Sequence, residues 1–152
     1  MVRSFPRLAL HPLQHHLVMK WSTIFPWILR ILAALILLQT LFFKFSGAEE
    51  SRFIFSQLGM EPWGRIGSGI LELIASILIL YPRTTFFGAA MGAGLMSGAI
   101  FFHLTKLGIS VRNDGGQLFV YALLVFVSCI ILLFIYRGEI NTILKLIFRK
   151  NS

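Results

Sequence analysis

The sequence is poor in the residues that redox and metal chemistry require. It contains a single cysteine, Cys129, which excludes a disulfide framework and a CxxC dithiol within the chain. A haem held between two helices needs two axial ligands, and His103 is the only histidine in any long apolar run. Zinc sites need three or four protein ligands, which this set of residues does not supply. We therefore predict no metal site and no covalently bound cofactor.

Acidic residues are also scarce, because 6 Asp and Glu stand against 14 Lys and Arg, for a formal net charge of +8. In a soluble protein this excess would raise the question of nucleic-acid binding. Here the basic residues mostly flank apolar runs, so the expected anionic partners are membrane lipid headgroups. We expect no nucleic acid as a partner.

Hydrophobic residues are abundant: they make up 57% of the chain, and the mean hydropathy is +0.80. Four runs reach the length of about 20 mostly apolar residues that a bilayer span requires. A backbone inside lipid must satisfy its own hydrogen bonds, so each run is predicted to be helical. The predicted fold class is all-α, an integral membrane four-helix bundle. The predicted spans are 25–43, 64–80, 86–104 and 117–136.

The spans divide the chain into three parts. Residues 1–24 are predicted to form a basic, disordered tail, and residues 25–137 form the four-span domain. Residues 138–152 are predicted to form an amphipathic, basic tail on the membrane surface.

The loop between the first two spans is predicted to contain a short helix at the membrane interface. Ser46 and Glu49 have capping-box spacing, and Gly59 is placed to end such a helix. The next loop is only YPRTT, so the second and third spans are predicted to form an antiparallel hairpin.

The distribution of basic residues predicts the orientation of the bundle. Most of them, including Arg30, Arg83 and Arg137, fall on the side of the two termini. Cytoplasmic segments carry such an excess, so both termini are predicted to lie in the cytoplasm.

Several ionisable residues interrupt the predicted spans. Such groups cost about 3 kcal/mol at a helix centre on insertion scales, so they normally face the protein interior. Glu72 lies seven residues after Arg65, on the same helix face and about 10 Å deeper. The flexible stem of Lys44 can reach down to it. The predicted intramembrane polar cluster consists of Lys44, Arg65, Glu72, His103 and Gln117.

Two interpretations of this cluster stay open. One is an ion pair that holds the bundle in register without any chemistry. The other is a polar pocket, open to the outer leaflet, that binds a quinone-like headgroup or moves a proton. Glu72 is expected to be ionised beside Lys44 and neutral without a partner, and the sequence is compatible with both.

The third span carries small residues at four-residue steps. Small residues let helix backbones approach closely, so this span is predicted to be the one around which the others pack. The predicted packing residues are Gly88, Gly92, Gly94 and Gly98.

Four stretches carry a resemblance to a known family. In chain order they are TLFFKFSG, EPWGRIGSGILEL, GAAMGAGLMSGAIFFHLTKLG and DGGQLFVYAL. Together they resemble the DoxX family of small four-span bacterial membrane proteins, over about residues 27–137. Lys44, Arg65, Glu72 and His103 match polar positions of the family pattern.

The resemblance implies a place in the bacterial cytoplasmic (inner) membrane, beside redox enzymes. The family is named from a subunit associated with a quinol oxidase and a thiosulfate:quinone oxidoreductase system. It implies an accessory subunit of a quinone-linked membrane oxidoreductase, without catalytic activity of its own and with a quinone as the bound cofactor. The alternatives are a non-catalytic membrane assembly or scaffold factor and, less favoured, a small-solute or proton carrier. The expected partners are membrane lipids, oxidoreductase subunits and a second copy of the chain.

Overall fold

A computed structural model of the chain describes residues 11–138, with side chains from Trp21 onward except Ser22. The described part contains five α-helices and one π-helical turn, and no strand. The all-α prediction is therefore confirmed for these residues. The helices are α1 (His11–Ser46), α2 (Glu49–Gln57), α3 (Trp63–Leu80), α4 (Thr85–Phe102) and α5 (Gln117–Tyr136), and the π-turn is His103–Leu107.

Four of these elements are long and apolar enough to cross a membrane. They are Thr23–Ser46 of α1, all of α3, α4 together with the π-turn, and α5. Each of the four packs against two others, because α1 and α4 both contact α3 and α5. The four helices therefore close into a ring, as the four-helix prediction requires.

The first helix begins earlier than the sequence predicts. Residues 11–24 are helical, so the predicted disorder does not extend to them. Pro12 lies in the first turn, where its missing N–H would have no intrahelical partner. The residues that follow include the helix formers Leu, Gln, Met and Lys. Residues 1–10 and the predicted C-terminal tail from residue 139 lie outside the described residues.

The short helix α2 lies at one end of the bundle, which we call the α2 end. It contacts α1, α3 and the π-turn. The short-helix prediction is thus confirmed, but the capping box is not formed, because the N-cap of α2 is Ala48. Gly47 ends α1 with a positive φ of 65°, a conformation that glycine adopts without steric cost. Because Gly47 turns the chain there, Ser46 stays within α1 and cannot cap α2.

Small residues bring α4 close to its neighbours at two positions. A Cβ atom on Gly88 would lie 2.7 Å from the carbonyl carbon of Leu78, and one on Gly92 would lie 2.9 Å from Sγ of Cys129. The packing prediction holds for these two glycines. At Gly94 and Gly98, however, such a Cβ would meet no described atom within 4 Å apart from the chain neighbours and backbone of its own helix. Both face a cavity instead, and the packing prediction is corrected for them.

The end of the bundle opposite α2 is held by Arg30. Arg30, which the sequence places with the basic residues on the side of the two termini, is only 1% exposed. Its Nε donates a hydrogen bond of 2.9 Å to the carbonyl of Ile79, near the C-terminus of α3, and its Nη2 donates to the hydroxyl of Thr85. The guanidinium also lies 4.5 Å and 5.1 Å from the ring centroids of Trp27 and Tyr136. Arg30 therefore joins α1 to the α3–α4 turn and to α5.

Candidate functional site

A cavity of about 630 Å³ lies at the α2 end of the bundle. The four long helices, α2 and the π-turn all contribute to its wall, and most of the lining side chains are apolar. Small-molecule sites in proteins commonly have volumes of about 300 to 1,000 Å³ and a few polar groups in an apolar wall. Four of the five residues of the predicted polar cluster line the cavity: Lys44, Glu72, His103 and Gln117.

Glu72 forms the buried acidic side of the cavity. It is 4% exposed, and its Oε1 forms an ion pair with the ammonium group of Lys44 at the end of α1. Its Oε2 lies 2.8 Å from the hydroxyl of Thr40, one turn earlier on α1. Lys44 therefore reaches down to Glu72 as its length predicts. Both carboxylate oxygens have polar partners, which a buried carboxylate requires.

The Thr40 hydroxyl has two acceptors within reach and only one proton. Its Oγ1 lies 2.8 Å from the carbonyl of Leu37 and 2.8 Å from Oε2 of Glu72. A hydroxyl can donate one hydrogen bond and accept others. If it donates to Leu37, then a protonated Glu72 can donate to it in turn. The geometry thus accommodates Glu72 both as a carboxylate paired with Lys44 and as a protonated carboxyl.

Arg65 is buried beside the cavity and is not among the described residues of its wall. Its Nη2 lies 2.8 Å from Oε1 of Glu61 in an ion pair, and its Nη1 donates to the backbone carbonyl of Lys44. Arg65 therefore holds the end of α1 against the start of α3 and positions Lys44. Glu61 was not predicted as part of the cluster, although its spacing of four residues from Arg65 is that of helical ion pairs.

His103 begins the π-turn and is 6% exposed. Its Nδ1 lies 2.8 Å from the carbonyl oxygen of Gly108, and its ring packs edge-on against Phe119 with centroids 5.6 Å apart. A carbonyl oxygen only accepts hydrogen bonds, so Nδ1 is the protonated, donating nitrogen. Short π-helical segments occur frequently at functional sites, which fits the position of this residue in the cavity wall.

Gln117 lies at the start of α5, at the same end of the bundle. Its side-chain amide donates a hydrogen bond of 2.6 Å to the hydroxyl of Tyr121, one turn further along the helix. Both residues line the cavity. The amide and the phenol therefore add a neutral polar pair to the charged pair of Lys44 and Glu72.

Asp114 closes the loop before α5 and also lines the cavity. Its Oδ1 accepts hydrogen bonds from the backbone N–H groups of Val111 (2.8 Å) and Gly116 (2.9 Å), and its Oδ2 accepts one from Leu118 (3.1 Å). Burial alone would raise the pKa of the Asp114 carboxyl, but these hydrogen bonds lower it below its ordinary value. The sequence analysis missed this residue; the signal was an aspartate before two glycines at the start of a predicted helix.

The described residues contain no group of three or more His, Cys, Asp and Glu side chains arranged to hold a metal ion. The polar groups of the cavity are instead suited to hydrogen bonding. They include the carboxyl groups of Glu50, Glu72 and Asp114, the Lys44 ammonium, the His103 imidazole and the amide–phenol pair of Gln117 and Tyr121. The site can therefore orient the polar head of a ligand while its apolar wall contacts the remainder.

Comparison with known proteins identifies the family. The sequence model of the DoxX-like family matches residues 28–131, which include every residue of the predicted polar cluster. Comparisons with curated proteins and with solved structures gave no match. The matched segment covers more than half of the chain and contains all or most of each of the four long apolar helices. The chain therefore belongs to the DoxX-like family and is a multi-pass membrane protein.

Proposed function

We propose that the cavity at the α2 end binds a lipid-soluble molecule with a polar head, of the quinone class. We further propose that the chain acts as an accessory subunit of an oxidoreductase in the bacterial cytoplasmic membrane, with its termini in the cytoplasm. The observation that carries the proposal is the cavity itself, with its apolar wall and its buried Lys44–Glu72 pair.

The wall chemistry suits an amphiphile. Aromatic and aliphatic side chains such as Phe43, Phe55 and Leu95 line the cavity and can contact a hydrocarbon ring or tail. The Lys44 ammonium and the Gln117 amide can donate hydrogen bonds to a head that carries oxygen atoms. A quinone combines an apolar body with two oxygen atoms, so it matches both parts of the wall.

Two glycines of α4 leave the space that a ligand would occupy. Gly94 and Gly98 line the cavity, and a Cβ at either position would meet no described atom within 4 Å apart from the chain neighbours and backbone of its own helix. A large side chain at Gly94 would therefore extend into the cavity without first clashing with a neighbouring helix. This makes Gly94 a position where the cavity can be filled while the polar cluster stays intact.

The proposal is tested by native mass spectrometry of the protein released from its own membrane. Gly94→Leu fills the cavity, and Glu72→Gln removes the carboxylate that pairs with Lys44. The matched control is Gly67→Leu on α3, where a Cβ also meets no described atom and which is outside the cavity wall. We expect a bound quinone with the wild type and with Gly67→Leu, no quinone with Gly94→Leu, and less with Glu72→Gln.

Two results would contradict the proposal. Equal amounts of quinone on all four proteins would place the ligand outside the cavity. A protein partner that stays with all four forms, with no small molecule on any of them, would favour the scaffold function instead.

A further inference from the structure

We infer that the cavity binds a ligand whose hydroxyl group donates a hydrogen bond to Nε2 of His103. The site would then prefer a hydroquinone to the corresponding quinone. This inference rests on the proposed function and specifies which redox form of the ligand is bound.

The first step is the tautomer of His103. Its Nδ1 must donate to the Gly108 carbonyl, which lies 2.8 Å away and can only accept. In a neutral imidazole with the proton on Nδ1, the other nitrogen carries a lone pair and acts as an acceptor. Nε2 has no hydrogen bond with the described residues, and the ring is part of the cavity wall.

The second step is the surroundings of the ring. Phe119 packs edge-on against it, and none of the ion pairs among the described residues includes His103. With the proton of Nδ1 donated to the Gly108 carbonyl, the imidazole offers a ligand the lone pair of Nε2.

The third step compares the two ligand forms. A quinone has two carbonyl oxygens, which only accept, so a carbonyl placed at Nε2 would face another lone pair. A hydroquinone hydroxyl donates to Nε2 and keeps lone pairs that can accept from Lys44. Unpaired polar groups in a buried site weaken binding, so the hydroquinone is favoured.

The test measures equilibrium binding to the purified full-length protein in lipid nanodiscs, under anaerobic conditions. The probes are a decyl-benzoquinone, its hydroquinone and the dimethyl ether of that hydroquinone, which has no O–H donor. We expect the hydroquinone to bind roughly tenfold more tightly than the other two, as one buried hydrogen bond can provide.

Two substitutions separate the ligand contact from the structural one. His103→Asn keeps an N–H donor near the position of Nδ1, toward Gly108, and has no group at the position of Nε2. His103→Gln places an amide near the position of Nε2, and this amide can turn to donate or to accept. We expect the preference for the hydroquinone to disappear in both variants and His103→Gln to bind the quinone at least as well as the wild type.

The outcomes distinguish this inference from the function on which it rests. Equal binding of quinone and hydroquinone by the wild type would overturn the inference and leave the quinone site in place. A preference that persists in His103→Asn would also overturn it, because the selectivity would come from another group. Failure of the wild type to bind any of the three probes would overturn the proposed function itself.

Discussion

At the scale of single residues, two cations within the membrane-spanning part of α1 have different kinds of partner. Lys44 pairs with the carboxylate of Glu72, whereas Arg30 donates to a backbone carbonyl and to a hydroxyl. The carbonyl of Ile79 belongs to the last turns of α3, where the helix dipole favours a positive charge. Both arrangements give a charged group inside the bundle a polar partner.

The ion pair of Lys44 and Glu72 predicts strong coupling between the two positions. Lys44→Met or Glu72→Leu alone leaves one charge unpaired inside the bundle, whereas the double variant removes both charges. We expect the double variant to be more stable than the sum of the single effects predicts, by about 1 to 3 kcal/mol. The measurement is the free energy of unfolding in mixed micelles. Additive effects would contradict a direct interaction.

We predict that Arg30 stabilises the end of the bundle opposite α2. Arg30→Ala removes a charge-assisted hydrogen bond to Ile79 and should lower the free energy of unfolding by about 2 kcal/mol. Arg83→Ala is the control, because Arg83 is exposed in the turn between α3 and α4. The same unfolding assay in mixed micelles compares them. An equal, small effect of both substitutions would show that Arg30 acts only as a surface charge.

These two cations also show what the sequence could reveal. Lys44 and Glu72 are both ionisable residues in apolar runs, so opposite charge and helical depth were enough to pair them. The main acceptor of Arg30 is a backbone carbonyl, which has no sequence signal, and the same arginine lies near the end of a span. Its burial depends on how α1 meets the α3–α4 turn, and that requires the tertiary structure.

At the scale of elements, close contact between α3 and α4 depends on Gly88. Gly88→Ala would place a methyl group 2.7 Å from the backbone of Leu78, so the helices must separate. We expect this substitution to destabilise the bundle by about 1 to 3 kcal/mol. Gly67→Ala, with open space at its Cβ, should be neutral or stabilising because alanine favours the helix. Thermal stability in detergent compares the two variants, and equal stability would contradict the close packing.

We expect the stability of the fold to depend on pH through the Asp114 carboxyl, which lies just before α5. The hydrogen bonds to Asp114 lower the pKa of its carboxyl in the folded protein, so they stabilise the fold above the unfolded value of about 4. That stabilisation is lost as the pH falls through the lowered folded pKa. Asp114→Asn should therefore cost about 1 kcal/mol at neutral pH.

The measurement for Asp114 is the unfolding midpoint of both proteins across pH. We expect the difference between wild type and Asp114→Asn to shrink as the pH falls below about 4. A difference that stays constant across this range would show that the Asp114 charge does not contribute to the stability of this turn.

The glycines of α4 show why element-level prediction was only partly successful. Spacing of four residues correctly predicted helix contacts at Gly88 and Gly92. A second series with the same spacing, Ala90, Gly94 and Gly98, contains two glycines that line open space. Periodicity gives the face of a helix but not the distance to its neighbour, so it cannot separate a packed face from a cavity wall.

At the scale of the whole molecule, the two ends of the bundle differ. Arg30 joins α1 to the α3–α4 turn at one end, and the cavity occupies the α2 end. Hydropathy alone predicted the four spans, since lipid requires long apolar helices. The cavity was not predictable as a volume, because it arises from α2 and the π-turn covering the end of the ring.

The central claim, that the cavity is a ligand site, is tested most directly by photolabelling. A decyl-benzoquinone carrying a photoreactive azide is irradiated with the protein in nanodiscs, and the labelled residues are identified by peptide mass spectrometry. We predict labels on cavity-wall residues such as Leu95 and Tyr121, and their loss with excess unlabelled quinone or in Gly94→Leu. Labels confined to outward-facing residues such as Ile77 and Phe134, with none in the wall, would contradict a ligand site in the cavity.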